Sequence, residues 1–162
     1  MTEAKAYPAA ARFEDMNVKA VHTYETLALI IAGGLVVTSA DGKISARMDL
    51  MRPLSDAFIF ELWRAYRLGK QAEKEIAEAG VDMQSYFDRL KSLDGIRNVT
   101  EHYRDAKNPR QAAIHEHAEG AVALDETSLV VLGPEQVLRG DANLFDMYLV
   151  ARETTAIFAA QR

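Results

Sequence analysis

Hydrophobic positions along this chain recur mostly at helical spacing, interrupted by two stretches of strand-like texture. From Phe13 to Ala32, the positions Val18, Val21, His22, Glu25, Ala28 and Leu29 follow one another at steps of one, three or four and predict a first helix with a mostly apolar stripe. Gly33-Gly34 is its natural stop. The segment LVVTSADGKISARM then sets a β-branched run, the dipeptide Asp41-Gly42 and a partly alternating run from Lys43 to Met48 in the order of a short hairpin with a primed turn. After Pro53, the stretch Leu54 to Ala79 puts Phe58, Ile59, Leu62, Trp63 and Tyr66 on one broad face and Glu61, Arg64, Lys70, Lys74 and Glu78 elsewhere, the clearest amphipathic helix in the chain.

Gly80 predicts the end of that helix, and Asp82 can accept the orphan amides of a third one that starts at once. The third helix carries Met83, Tyr86, Phe87, Leu90 and Leu93 inward, runs on through Arg97 and Tyr103, and ends before Asn108-Pro109, with Gly95 as its kink point. From Gln111 the texture changes. Short runs at 114–117, 127–134 and 136–140, separated by Gly, Pro and acidic residues, predict two or three short strands. Asn143 caps a last helix bearing Leu144, Met147, Tyr148, Ala151, Thr155 and Phe158. The predicted fold is mainly α: a four-helix antiparallel bundle with one or two short β-hairpin inserts, forming a single domain over 1–162 with its β insert at about 111–140.

Composition narrows the chemistry. At 162 residues and 49% hydrophobic content the chain can bury a core without a metal or disulfide. It has no Cys, which removes thiolate zinc sites, iron–sulfur clusters and cysteine nucleophiles. A formal charge of −5 speaks against a protein that grips long nucleic acid through a broadly basic surface, and leaves room for a local phosphate site. The apolar run Leu27 to Val37 is only 11 residues long, about half of a membrane span. The N-terminal MTEAKAYPAAARFEDMN lacks the pattern of a secretory signal, so the expected location is cytoplasmic and bacterial-like, with no membrane partner. No phosphate-cradling glycine motif is present, and no cofactor is expected.

One short constellation carries chemistry. Arg97-Asn98-Val99-Thr100-Glu101-His102 places a permanent cation, an amide and a side chain that titrates near neutral pH within six residues of one predicted helix. Four residues apart, Asn98 and His102 lie about 40° from each other around a regular helix, so the amide can set the imidazole tautomer. Arg97 and His102 lie about 140° apart, so aiming both at one atom calls for a second copy of the helix across a two-fold axis. Residues 89–110 carry six Lys or Arg against three Asp or Glu, a local excess of cation in an acidic chain.

Arg97-Asn98-x-x-x-His102 resembles the R-x4-6-H motif, with its frequent polar residue after the Arg, of HEPN domains, which are all-helical bundles and often dimeric. The resemblance implies a homodimeric, metal-independent endoribonuclease or toxin-type effector. Its catalytic residues would be Arg97, Asn98 and His102, its substrate RNA, and a protein antitoxin a further partner. The β inserts and the DGIRN start of the motif depart from a minimal HEPN bundle. The implied chemistry is attack of a ribose 2′-OH on the adjacent phosphate, with His102 as general base or acid and Arg97 neutralising phosphoryl charge.

Plainer uses of the same residues stand beside this one. Arg97 can pair with Asp94 or Glu101 on its own helix, leaving a non-catalytic dimeric helical scaffold or regulatory protein. His115 and His117, on one face of a strand, can join a third ligand to hold zinc in a small metal-dependent enzyme, although no spacing supplies that ligand. His22, on the apolar stripe, reads as a core histidine bonded to a neighbouring helix. The helical spacing of Phe58, Phe60, Trp63 and Tyr66 points to core or dimer interface before base stacking.

Overall fold

The structure, a computed structural model, describes residues 8–33, 37–38, 44–45, 48–102, 129–140 and 142–161, with side chains over 8–33, 50–98, 129–140 and 142–161. It is mainly helical, with a small three-stranded antiparallel sheet. The elements are α1 (Ala9–Ile31), β1 (Val37–Thr38), β2 (Ile44–Ser45), α2 (Met48–Gln71), α3 (Glu73–Glu78), α4 (Met83–Arg89), α5 (Leu93–His102), β3 (Leu129–Gly133), β4 (Gln136–Arg139), β5 (Ala142–Asn143) and α6 (Leu144–Ala159). Among the described residues no helix is long and apolar enough to cross a membrane.

Helix α1 is central. Phe13 lies against α2 near Gly69, and Tyr24 meets Phe58, so α1 and α2 run antiparallel. Phe13 also meets Phe158, and Tyr24 stacks on Tyr148, so α6 is antiparallel to α1 on its other flank. A Cβ at Gly69 would stand 3.0 Å from the Met83 methyl and 3.3 Å from the Phe13 ring, which explains a glycine in mid-helix where propensity disfavours it. The buried face of α1 is Phe13, Asn17, Ala20, Val21, Tyr24, Leu27 and Ile30. This corrects the stripe expected from the sequence: His22 and Glu25 are exposed, and Leu29 is 67% exposed. Tyr24 and Asn17 take the inward positions because their polar atoms find partners there. The Tyr24 hydroxyl donates to the Pro134 carbonyl (2.9 Å), and Asn17 Nδ2 donates to the Phe13 carbonyl (2.9 Å) while its Oδ1 accepts from the Tyr86 hydroxyl (3.2 Å). Burial raises the phenol pKa of both tyrosines, so both stay protonated and able to donate.

Helix boundaries also differ from expectation: the second helix expected over Leu54–Ala79 is two, α2 and α3, parted at Ala72. Helix α2 begins at Met48 and contains Pro53 as its sixth residue, whose missing N–H removes the backbone bond to the Asp49 carbonyl. The expected third helix is two, α4 and α5, and the break falls at Leu90–Ser92 instead of Gly95. Leu90 and Leu93 are both fully buried, and the turn between the helices, closed by Leu93 N to the Leu90 carbonyl (2.9 Å), lets both point into the core. Local end signals hold where they were read. Gly80 adopts φ +89 and its amide donates to the Ala77 carbonyl at 2.9 Å, and Asp82 Oδ1 accepts from the Ser85 amide at 3.0 Å.

The first hairpin pairs Val37 with Ser45 and Thr38 with Ile44. The sheet has the order β3-β4-β5, with Val130 opposite Leu138 and Leu138 opposite Asn143. Asn143 joins this sheet to α6: its Oδ1 accepts from the amides of Phe145 and Val137 (both 3.2 Å), and its Nδ2 donates to the Glu135 carbonyl (3.1 Å). Arg139, 2% exposed, reaches from β4 to the Asp56 carboxylate on α2. Burial raises the Asp56 pKa above its ordinary value, with Arg139 and Arg52 pulling it down. The strand expected at Ile114–His117 lies outside the described residues.

Candidate functional site

Helix α5 packs on α2 through an i, i+3 pair, Leu93 and Ile96, both buried, with Asp94 in its acidic first turn. That registry puts Asp94 and Arg97 along the seam with α2 and leaves Asn98 exposed. Trp63 is the organising side chain. Its indole Nε1 donates to Asp94 Oδ1 at 2.7 Å, and the Arg97 guanidinium lies over its ring, 4.3 Å from the centroid. The same guanidinium is 5.9 Å from the Phe60 ring, and Arg67 approaches the indole at 5.7 Å. These are cation–π distances; the interaction holds a flexible cation in one orientation without neutralising it.

Arg97 Nη1 also donates to Asn98 Oδ1 at 3.1 Å, so the first two residues of the motif are already joined. Asp94 is engaged elsewhere: its second oxygen lies 3.9 Å from Lys70 Nζ, and Lys70 in turn sits 4.4 Å above the Tyr66 ring. The seam is therefore a strip of aromatic rings from α2 overlaid by cations from α2 and α5. Arg97 is half-buried.

Of the three motif residues, the structure brings Arg97 and Asn98 together. His102 is the last residue of α5, and its side chain lies outside the described residues, as do His115 and His117 entirely. Among the described residues no three His, Asp or Glu gather as a metal-binding group. His22 is exposed on α1, away from the core position its spacing suggested. Phe58 and Tyr66 are core residues, as their spacing predicts, whereas Trp63 and Phe60 are only half-buried and face the cations. Spacing along α2 does separate these two pairs: at about 100° per residue Phe58 and Tyr66 lie about 80° apart, while Trp63 and Phe60 lie about 140° and about 160° from Phe58, off the core direction. Sequence reasoning named Asp94 only as an ion-pair partner for Arg97 and missed its bond to Trp63; it also missed Lys70. The acidic residue in the first turn of α5 was the visible signal, and its partner is 31 positions away.

An open groove of about 510 Å³ at the β3–β4 turn is lined by Glu135 and Asp146 with Gln136 and Asn143, an acidic wall unsuited to phosphate. Comparison with family models, with curated proteins and with solved structures gives no match for this chain.

Proposed function

We propose that this chain is a HEPN-like, metal-independent endoribonuclease or toxin-type effector: a four-helix antiparallel bundle that acts on RNA as a homodimer, with a protein antitoxin as its natural counterpart. The observation that carries the reading is the joined pair on α5, Arg97 held over Trp63 and bonded to Asn98, on a helix that continues without a break to His102. An unbroken helix keeps Asn98 and His102 one turn apart on one flank, where an amide can orient an imidazole.

The reaction follows from those groups. One imidazole takes the proton of a ribose 2′-OH as its oxygen bonds to the neighbouring phosphorus. The bond from phosphorus to the 5′-oxygen breaks, and that oxygen receives a proton from a second imidazole, leaving a 2′,3′-cyclic phosphate and a 5′-hydroxyl. Two copies of His102, one from each protomer, supply the base and the acid. Arg97 neutralises the charge that builds on the phosphoryl oxygens, and the ribose brings its own nucleophile.

The test is RNA incubated with the protein in EDTA, beside Arg97→Ala and His102→Ala. Chelator-resistant cleavage that falls by a factor of about 10² or more in each variant, with thermal melts showing both folded, is the expected result. Cleavage surviving both substitutions removes the site.

A second reading rests on the same contact. A guanidinium stacked at 4.3 Å on an indole is also a structural cover, and on that view the protein is a non-catalytic helical scaffold or regulatory partner. No cleavage by the wild-type chain, together with a lower melting temperature for Arg97→Ala, selects it.

A further inference from the structure

Between α1 and α2 an open groove of about 500 Å³ is lined by Arg12 and Asp15 on one wall and by Trp63, Arg64 and Arg67 on the other. Arg64 and Arg67 are exposed and stand one turn apart on α2, facing the same way. That lining holds three guanidinium groups against one carboxylate, Asp15, which pairs with Lys19 at 3.0 Å, in a chain whose formal charge is −5. Trp63 is shared. Its indole lines this groove and also carries Arg97 of the motif, so the basic groove and the α5 site meet at one side chain.

Guanidinium groups spaced along a groove suit a string of phosphates, and an indole beside them suits a planar base. An acidic peptide or polyphosphate would use the first feature and leave the second idle, and a duplex hides the faces of its bases. We propose that the α1–α2 groove binds a segment of single-stranded RNA, with its phosphates on Arg12, Arg64 and Arg67 and a base against Trp63, and delivers the strand to Arg97 and Asn98. The substrate class rests on the ribonuclease reading, and the experiment separates the two.

The probe is a 2′-O-methyl oligouridine, which has no 2′-hydroxyl to attack, and the reporter is the fluorescence of Trp63, the only tryptophan in the chain. The expected result is a saturable fluorescence change whose affinity falls with salt at a logarithmic slope of about −2, for three phosphates at about 0.7 each. Arg64→Glu with Arg67→Glu should weaken binding at least tenfold and flatten that slope by about 1.4, with a thermal melt showing the variant folded at the assay temperature. Binding undiminished in the double variant, a silent Trp63, or equal affinity for polyphosphate overturns the proposal. Cleavage of ordinary RNA is followed on the same proteins. Oligouridine binding without cleavage keeps the groove and removes the ribonuclease, whereas cleavage undiminished by the double variant keeps the ribonuclease and removes the groove.

Discussion

Tyr24 and Trp63 are both large aromatic residues on long helices, and the fold uses them in opposite ways. Tyr24 is 1% exposed and surrounded by rings: it stacks on Tyr148 at 4.7 Å and meets Phe58 edge-on at 5.2 Å. Trp63 is surrounded by charge, with Arg97 and Arg67 at its ring and Asp94 on its nitrogen. Around Tyr24 three helices and the β3–β4 turn converge, so water is excluded and only rings and one satisfied hydroxyl fit. Around Trp63 a long helix meets a short one, and among the described residues the cations lie on the ring partly desolvated. The lesson is that the number of elements meeting at an aromatic residue, more than its type, decides whether it becomes core or platform.

The contrast can be broken most forcefully at Phe58. Phe58→Ala removes a fully buried ring from the Tyr24 cluster and should cost about 3–5 kcal/mol in a urea or thermal melt. A loss under about 1 kcal/mol would mean that the ring cluster is not the stabilising region. At the other pole, Arg97→Ala should cost only about 1–2 kcal/mol, the worth of a partly desolvated cation–π contact and one hydrogen bond, and should shift the emission of Trp63. A cost matching that of Phe58→Ala would erase the distinction.

The smallest expected effect sharpens the comparison where charge meets charge without a ring. Arg89 on α4 pairs with Glu153 on α6, both exposed, and the Arg89 hydrogen bond holds the Glu153 pKa below its ordinary value near 4.5. A lowered folded-state pKa means that the pair's contribution is complete above the ordinary value and is lost as pH falls through the folded one. Glu153→Gln should therefore melt slightly below wild type at neutral pH, by under about 1 kcal/mol, with the gap closing in acid. A gap that persists at low pH would show that the carboxylate charge is not what matters there.

Much of the backbone was legible from short signals. Gly33, Gly80, Asp82 and Asn143 end or start helices because each meets a backbone demand within a few residues of itself, a positive φ or an unpaired amide. The face of α1 was not legible to the same degree. Its apolar positions leave the choice of inward direction open, and partners for Tyr24 and Asn17 at Pro134 and Tyr86 turned the stripe away from His22 and Leu29. Gly69 and the Arg139–Asp56 pair were missed for the same reason, since each answers to a neighbour from a distant part of the chain. Within the candidate site, Arg97 and Asn98 could be read together because they are consecutive on one helix. Trp63 could not be joined to them by spacing.

By itself the sequence determined the helical character of this protein, most of its turning points and the adjacency of a cation and an amide on α5, because these depend on interactions spanning one helical turn. Only the tertiary structure decided which cations lie on the aromatic residues at the margin of the core face, and that a basic groove ends at the same indole as Arg97. Those outcomes depend on which surfaces meet, and helices presenting similar stripes can meet in more than one way until packing selects one.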